Sequence, residues 1–449
     1  MKNVNVNLKK IMNNREAAEK IFIAGVRSVL PEKLISSSMR LEGSMFTVGD
    51  HKIQLDSIKN IFVIGAGKAS AAMGHYVECI LGDLITGGHI VVKYGYSCKL
   101  KRIKVTEAGH PIPDTRGFEA AEEIKRLSYK AEESDLVICL ISGGASALLA
   151  DLPEGILPEE LYIVNNLLIR CGATINEINS VRKHLSRLKG GQLARIIRPA
   201  KLMTVILSDV TGNPLDVIGS GPTVPDASTF SDALKVIEKY NLTADITSGV
   251  LNYLKDGANG MHPETPKPGD PLFEGAINIL SGTNQLALKA AKNLAGSLGF
   301  KSYIIDSEMN GDVESVCETV LNTAVSFRKN NDIQKPACLL YGGETTIKVS
   351  GNGLGGRNQH LVLSAAIRLS NIPGITLLSA GTDGTDGPTD AAGAVADAET
   401  IRRARSLHED PENYLCEFNS YSFFKRVGGL ILTGPTFTNV MDLVVVLVE

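Results

Sequence analysis

The sequence contains no tryptophan, and aromatic residues make up only 5% of it. Its seven cysteines (Cys79, Cys98, Cys139, Cys171, Cys317, Cys338 and Cys416) are scattered and form no C-x-x-C pair. That argues against a zinc site and against a disulfide framework, and fits reduced thiols in a cytoplasm, most of them small core residues. Long apolar runs are lacking as well. The longest, 136–141 and 443–448, fall far short of the roughly 20 residues that span a membrane. The first ten residues, M-K-N-V-N-V-N-L-K-K, carry no apolar stretch of the signal-peptide kind, so a cytoplasmic location is expected. No basic block stands out and the formal net charge is −3, which argues against a nucleic-acid partner. Two catalytic signatures are also absent. No G-x-x-x-x-G-K-[ST] phosphate loop follows the first strong strand, and the serine-rich turn at 142–146 lacks G-x-S-x-G spacing.

What is present is ordinary globular composition, 43% hydrophobic and 21% charged, over 449 residues. That is long enough for two or three domains. The spacing of Ala18, Ile21, Phe22, Val26 and Val29 predicts an amphipathic helix over 15–30. Strands are predicted at 61–64, 89–92, 103–105, 136–141 and 203–207, with helices ending at Val77 and covering 119–127, 158–169 and 174–197. Residues 256–271 are polar and proline-rich and make the best linker candidate. Strands resume at 276–280, 302–305, 338–340, 345–349, 376–378 and 443–448, with a helix ending at Leu298. The alternation predicts an α/β fold of two domains, each a mainly parallel sheet flanked by helices. A Rossmann-like N-terminal domain covers 1–255, a linker 256–275, and a smaller mixed α/β domain 276–449.

Six glycines lie within residues 341–359. So many in a short span predict backbone that turns sharply or approaches a ligand closely. Arg357 follows the pair Gly355–Gly356 and opens a helical pattern that includes Asn358, so it sits where free N–H groups favour an anion. Lys68, after Gly65-Ala-Gly67, occupies a second helix N-terminus. The turn Ser142-Gly143-Gly144-Ala-Ser146 offers amides and hydroxyls to an anion or polyol. Arg182, Ser186 and Lys189 fall on one helical face of the densest basic run, which reads as a phosphate-binding face or a solvated one. Asp209 stands at a strand end, a common place for a Mg²⁺ ligand or a general base. Asp383, Asp386 and Asp390 form an acidic cluster, read as Mg²⁺ ligands, substrate-hydroxyl partners or a plain turn loop. Cations for phosphates beside acids for metal or proton are the parts phosphoryl transfer needs.

Read as ordered blocks, the chain resembles the glycerate 2-kinase family with its C-terminal MOFRL domain. The blocks are V-I-G-A-G-K-A-S at 63–70, S-G-G-A-S-A-L-L at 142–149, N-S-V-R-K-H-L-S-R-L-K-G-G at 179–191, S-D-V at 208–210 and G-S-G-P-T at 219–223. They continue with Y-G-G-E-T-T at 341–346, G-G-R-N-Q at 355–359, G-T-D-G-T-D-G-P-T-D-A-A-G at 381–393 and T-G-P-T-F-T-N-V-M-D-L at 433–443. The resemblance covers nearly the whole chain. It implies ATP- and Mg²⁺-dependent phosphorylation of D-glycerate at C2, in a cleft between two α/β domains. It matches Lys68 and Arg357 to the family's lysine and arginine. With Asp209 as proton acceptor, these form the expected catalytic set. Gly67, Ser142, Gly143, Gly144, Arg182, Lys189, Gly355, Gly356 and Asn358 are the expected substrate and phosphate contacts, and Asp383, Asp386 and Asp390 the expected metal ligands. Two positions depart from the family pattern: His360 stands where an acid is common, and residues 211–214 lack paired acids. The expected partners are D-glycerate and ATP, with no membrane and with a homodimer admitted. The rival readings are an NAD(P)H-dependent hydroxypyruvate reductase and a non-catalytic anion-binding regulator. Against the first, Lys93 ends a strand where a dinucleotide site wants an acid.

Overall fold

The computed structural model describes residues 13–449. The reading of the first ten residues therefore lies outside the described residues. The chain forms two compact units: a parallel-sheet unit, Leu30–Thr283 with Phe437–Val440, and a mixed-sheet unit that holds Asn284–Thr436, Met441–Glu449 and, of the described residues before Leu30, 13–29.

In the parallel-sheet unit, β1 (Met39–Glu42), β2 (Met45–Val48) and β3 (His51–Gln54) make a small antiparallel meander. The main sheet holds β4 (Ile61–Ala66), β5 (Ile85–Lys93), β6 (Ile103–Ala108), β7 (Leu136–Ile141), β8 (Lys201–Leu207) and β9 (Ile277–Gly282). Its order is β6-β5-β4-β7-β8-β9, and every pair is parallel. This is the doubly wound order, so the Rossmann-like expectation holds, and the strand order reverses between β4 and β7. Every residue of β7 is buried, as expected for a central parallel strand covered on both faces. A second, all-helical core joins Pro158–Arg170, Ile175–His184, Phe230–Lys239 and Ser248–Ala258 through residues such as Leu168, Val181 and Ile237.

Two expectations fail here. The helix expected over 174–197 stops at His184 and restarts as Gln192–Ile197. Between them Gly190 and Gly191 take φ of 58° and 79°, which L side chains rarely adopt, so the pattern cannot run through as one helix. The expected linker is not a boundary either. Asp226 N donates to Pro266 O at 2.8 Å, Thr265 Oγ1 donates to Asp226 at 3.0 Å, and Glu264 accepts from Phe230 N at 2.9 Å. The prolines make this stretch irregular, but these bonds pin it to the body of the unit. The chain then adds β9 to the same sheet, and the change of unit comes after Thr283.

The mixed-sheet unit contains β10 (Lys301–Asp312), β11 (Ala337–Thr346), β12 (Ile375–Gly381), β13 (Gly393–Asp397), β14 (Leu430–Ile431) and β15 (Asp442–Val448). The order is β10-β11-β15-β12-β13-β14. Only β10 and β11 pair in parallel. The expectation of a mainly parallel sheet is corrected, because the last strand returns between β11 and β12 and runs antiparallel to both. The strands expected at 338–340 and 345–349 fall on one strand, β11, which ends at Thr346 and leaves 347–349 outside it. Helix Asn14–Ser28 belongs to this unit: a Cβ on Gly25 would lie 2.7 Å from Leu443 and 3.1 Å from Ala287 O, so the helix approaches closely only because that residue is glycine. All seven cysteines are free thiols; three are buried and two exposed, so most are not core residues. No helix among the described residues is long and apolar enough to cross a membrane.

Candidate active site

In open α/β sheets a ligand crevice lies off the strand C-termini where the order reverses. Strand β4 leads there into Gly67-Lys68 and helix Ser70–Leu81, and β7 leads into Ser142-Gly143-Gly144. Ser142 stitches the two turns together. Its Oγ accepts from Ala69 N at 3.0 Å and lies 3.0 Å from Ser70 Oγ, all of them buried. Lys68 N donates to Gly143 O at 2.9 Å. Gly67, at φ +132°, has no space for a side chain, since a Cβ would fall 2.2 Å from Ser142 Oγ.

Asp209, two residues beyond β8, meets the same turn from the other side. A Cβ on Gly143 would lie 2.3 Å from Asp209 Oδ2 and 2.6 Å from Asn439 Nδ2. Asn439 Nδ2 donates to Asp209 Oδ2 at 3.3 Å. Gly143 thus touches both the Lys68 turn and the Asp209 carboxylate, so the sequence-predicted Gly67, Lys68, Ser142, Gly143, Gly144 and Asp209 gather in one crevice. His110 closes it beside Gly144, its Nε2 2.8 Å from where a Cβ would stand. Sequence reasoning gave neither His110 nor Asn439 a role. Asn439 did lie within the block 433–443 that carried the resemblance, and that was the available signal.

Arg182 and Lys189 do not share a helix face, because the helix ends between them. They do line one cavity of about 280 Å³. Their electrostatics differ. Lys189 is buried, with Nζ donating to Leu149 O at 2.6 Å and lying 3.4 Å from buried Asp151. Burial pulls its pKa down, and Asp151 opposes that. Its charge is thus already matched within the protein, which weakens its assignment as a phosphate contact. Arg182 Nε donates to the neutral Asn165 Oδ1 at 2.7 Å, and burial pulls its pKa below the usual guanidinium value.

The mixed-sheet unit reverses several expectations. A Cβ on Gly351 or Gly353 would fall within 2.5 Å of Glu417 O, one on Gly355 at 2.3 Å from Ser420 Oγ, and one on Gly356 at 2.3 Å from Asp386. These glycines are therefore needed by the protein's own close packing. The helix Arg357–Leu369 has an anion at its N-terminus, but the anion is internal. Asp386 accepts from Asn358 N at 3.1 Å and from Gln359 N at 2.8 Å. Burial pushes its pKa up to about 6 against the pull of those two amides. Asn358 spends its carbonyl on Ser379 Oγ, at 2.6 Å, and its amide on Asp386. Both ends of the Asn358 side chain thus have partners within the protein, which weakens its assignment as a phosphate contact.

The acidic cluster disperses for the same reason. Asp383 accepts from Thr385, Asp390 accepts from Tyr421 at 2.8 Å, and Asp386 caps the helix. Among the described residues no group of three or more His, Cys, Asp or Glu is placed to hold a metal. The structure gives the metal assignment to Asp383, Asp386 and Asp390 no support. Arg357 is bidentate on Asp442, at 2.6 and 3.0 Å, and also meets Glu344 at 2.8 Å. Burial works against its charge, yet Asp442 and Glu344 hold its pKa above the ordinary value. Gly355, Gly356 and Arg357 line a cavity of about 200 Å³ with His360, Phe418 and Ser420.

Residues 17–255 match the domain of unknown function DUF4147, and residues 337–442 match the MOFRL family. The chain is 38% identical to the D-glycerate 2-kinase of Thermotoga maritima over 97% of its own length and 98% of that protein's. It is 39% identical to a putative hydroxypyruvate reductase of Agrobacterium vitis over 86% of each. A crystal structure of glycerate kinase from Thermotoga maritima superposes with a TM-score of 0.84 at 37% identity, covering 97% of this chain and 99% of that one.

Proposed function

This chain belongs to the glycerate 2-kinase family, and on that premise we propose that it transfers the γ-phosphoryl group of ATP to the C2 hydroxyl of D-glycerate. The observation that carries the reading is the β4–β7 reversal, where the Lys68 main chain, the turn 142–144 and the Asp209 carboxylate meet across Gly143. Phosphoryl transfer asks the protein for positioning and charge neutralisation rather than covalent chemistry. The amides of Gly143 and Gly144 and the Lys68 ammonium suit anionic oxygens, the Ser142 amide being spent on Ala66 O, and Asp209 suits the acceptor hydroxyl and its proton. The hydrogen bond from Asn439 orients that carboxylate. Arg357 is assigned a charge-neutralising role of its own, with its guanidinium aimed by Asp442. Among the described residues no group of acids is placed as a dedicated Mg²⁺ cage. A Mg²⁺ held mainly by nucleotide phosphates and water needs none.

The reductase name carried by two relatives is weakened here by the end of β5. Lys93 stands there, 5.6 Å from the Tyr96 ring centroid, where a nicotinamide dinucleotide site would place an acid for the ribose.

The test is purified protein with ATP, Mg²⁺ and D-glycerate, following ADP release and passing the product straight to enolase. Immediate enolase turnover is expected. A product that first needs a mutase would mean phosphorylation at C3, and NAD(P)H consumption with hydroxypyruvate in place of ADP release would overturn the reading. Lys68→Ala and Asp209→Asn should each lower kcat/KM by about 10³-fold, the scale of losing a charge-stabilising group in phosphoryl transfer.

A further inference from the structure

We propose that the 280 Å³ cavity beside the crevice takes the nucleoside end of the phosphoryl donor, with the ring against Ile112 and Ile169 and a phosphate on Arg182. The identity of this ligand rests on the kinase reading; the cavity and its chemistry do not.

Ser146, two residues beyond the turn 142–144, lines the cavity, so the cavity lies beside that turn. Its walls are largely apolar. Ala147, Ala150, Leu161 and Leu185 form part of them, and Ile112 and Ile169 remain 64% and 59% exposed. Two isoleucines left open on one cavity wall leave apolar surface for a ligand to cover. D-Glycerate carries an oxygen on each of its three carbons and gains nothing from such walls. A flat heteroaromatic ring does, and the adjacent amides of Asn165 and Asn166 can donate to and accept from its polar edge.

Arg182 supplies the second, independent observation. Among the described residues no carboxylate pairs with it, and its side-chain hydrogen bond goes to a neutral amide. Even half-buried, a cation without a counter-charge is costly. A phosphate in the cavity would provide that charge. Neighbouring Lys189 is already matched by Asp151, so Arg182 is the cation left to a ligand. An apolar, edge-polar chamber ending at one uncompensated cation fits a nucleotide.

Calorimetry on the full chain tests this with ADP as the probe and no hydroxy acid present. Ile112→Asp and Ile169→Asp change exposed positions, so folding should survive, as circular dichroism can verify. Each should weaken ADP binding at least tenfold and leave inorganic tripolyphosphate binding within twofold. ADP affinity unchanged in both variants, or no ADP binding by the unaltered protein, overturns the proposal. The kinase reading is tested apart from it, by ADP release from ATP and D-glycerate. Normal turnover with unaltered ADP affinity in the variants sinks the nucleoside cavity alone. ADP binding lost in the variants of a protein without turnover supports the cavity and sinks the kinase reading alone.

Discussion

Gly143 has no room for a methyl group. An added Cβ would sit 2.3 Å from the Asp209 carboxylate and 2.6 Å from the Asn439 amide. Gly143→Ala must therefore push the turn or the carboxylate aside. Overpacking of this kind costs on the order of 1–3 kcal/mol of stability. A displacement near 1 Å at a reacting group costs about 10²-fold in rate. The expected outcome is a kcat/KM lowered by about 10²-fold in a protein that still unfolds cooperatively; near-normal kcat/KM would remove Gly143 and Asp209 from the site. Lys68, Ser142 and Asp209 were legible because each follows an apolar strand in a turn of small residues, a strictly local signal. The bond from Asn439 to Asp209 was not, because it joins residues 230 positions apart.

The helix Arg357–Leu369 shows how a local signal misleads at the scale of an element. Its glycine-rich approach and basic first residue read as an anion site, and an anion is there, but it is Asp386. That carboxylate is buried, with a pKa near 6 against an ordinary 3.8. The raised value means the native state holds a proton that the unfolded chain has already lost between those pH values. Stability from this group is therefore fully present below about pH 4 and is lost as pH rises through about 6, by on the order of 3 kcal/mol. Chemical denaturation from pH 4 to 7 should show wild type losing stability relative to Asp386→Asn. Parallel profiles would show that Asp386 is not protonated in the folded protein. The broken helix after His184 gives the same lesson. Periodicity at 3.6 residues runs through residues 174–197, yet the helix stops at His184, Leu185 already leaves helical backbone, and Arg182 and Lys189 lie on separate segments around one cavity.

For the molecule as a whole, the chain does not divide where its composition changes. Helix Asn14–Ser28 lies in the mixed-sheet unit, tied by Arg15 to Asp397 at 2.5 Å and by Asn14 to Glu449 at 2.6 Å. A fragment of residues 284–449 alone would uncover the surface on which Ile21, Phe22 and Val26 are now buried. It should be poorly soluble or melt far below the full chain, and co-expression with residues 1–29 should restore folding. A fragment that melts as cooperatively and as high without the helix would show that the helix adds nothing to that unit. By itself the sequence determined the alternation of strand, small-residue turn and helix, and the residues that end each strand of the parallel sheet. Those depend on hydrogen bonding and side-chain periodicity among near neighbours. Only the tertiary structure decided that β15 returns antiparallel into the second sheet, that Asp442 and Glu344 hold Arg357, that the three aspartates serve turns and a helix cap, and that Asn439 reaches Asp209. Apart from the local turn at Asp383, each of these joins segments separated in the chain, where burial and charge pairing, rather than local pattern, select the partner.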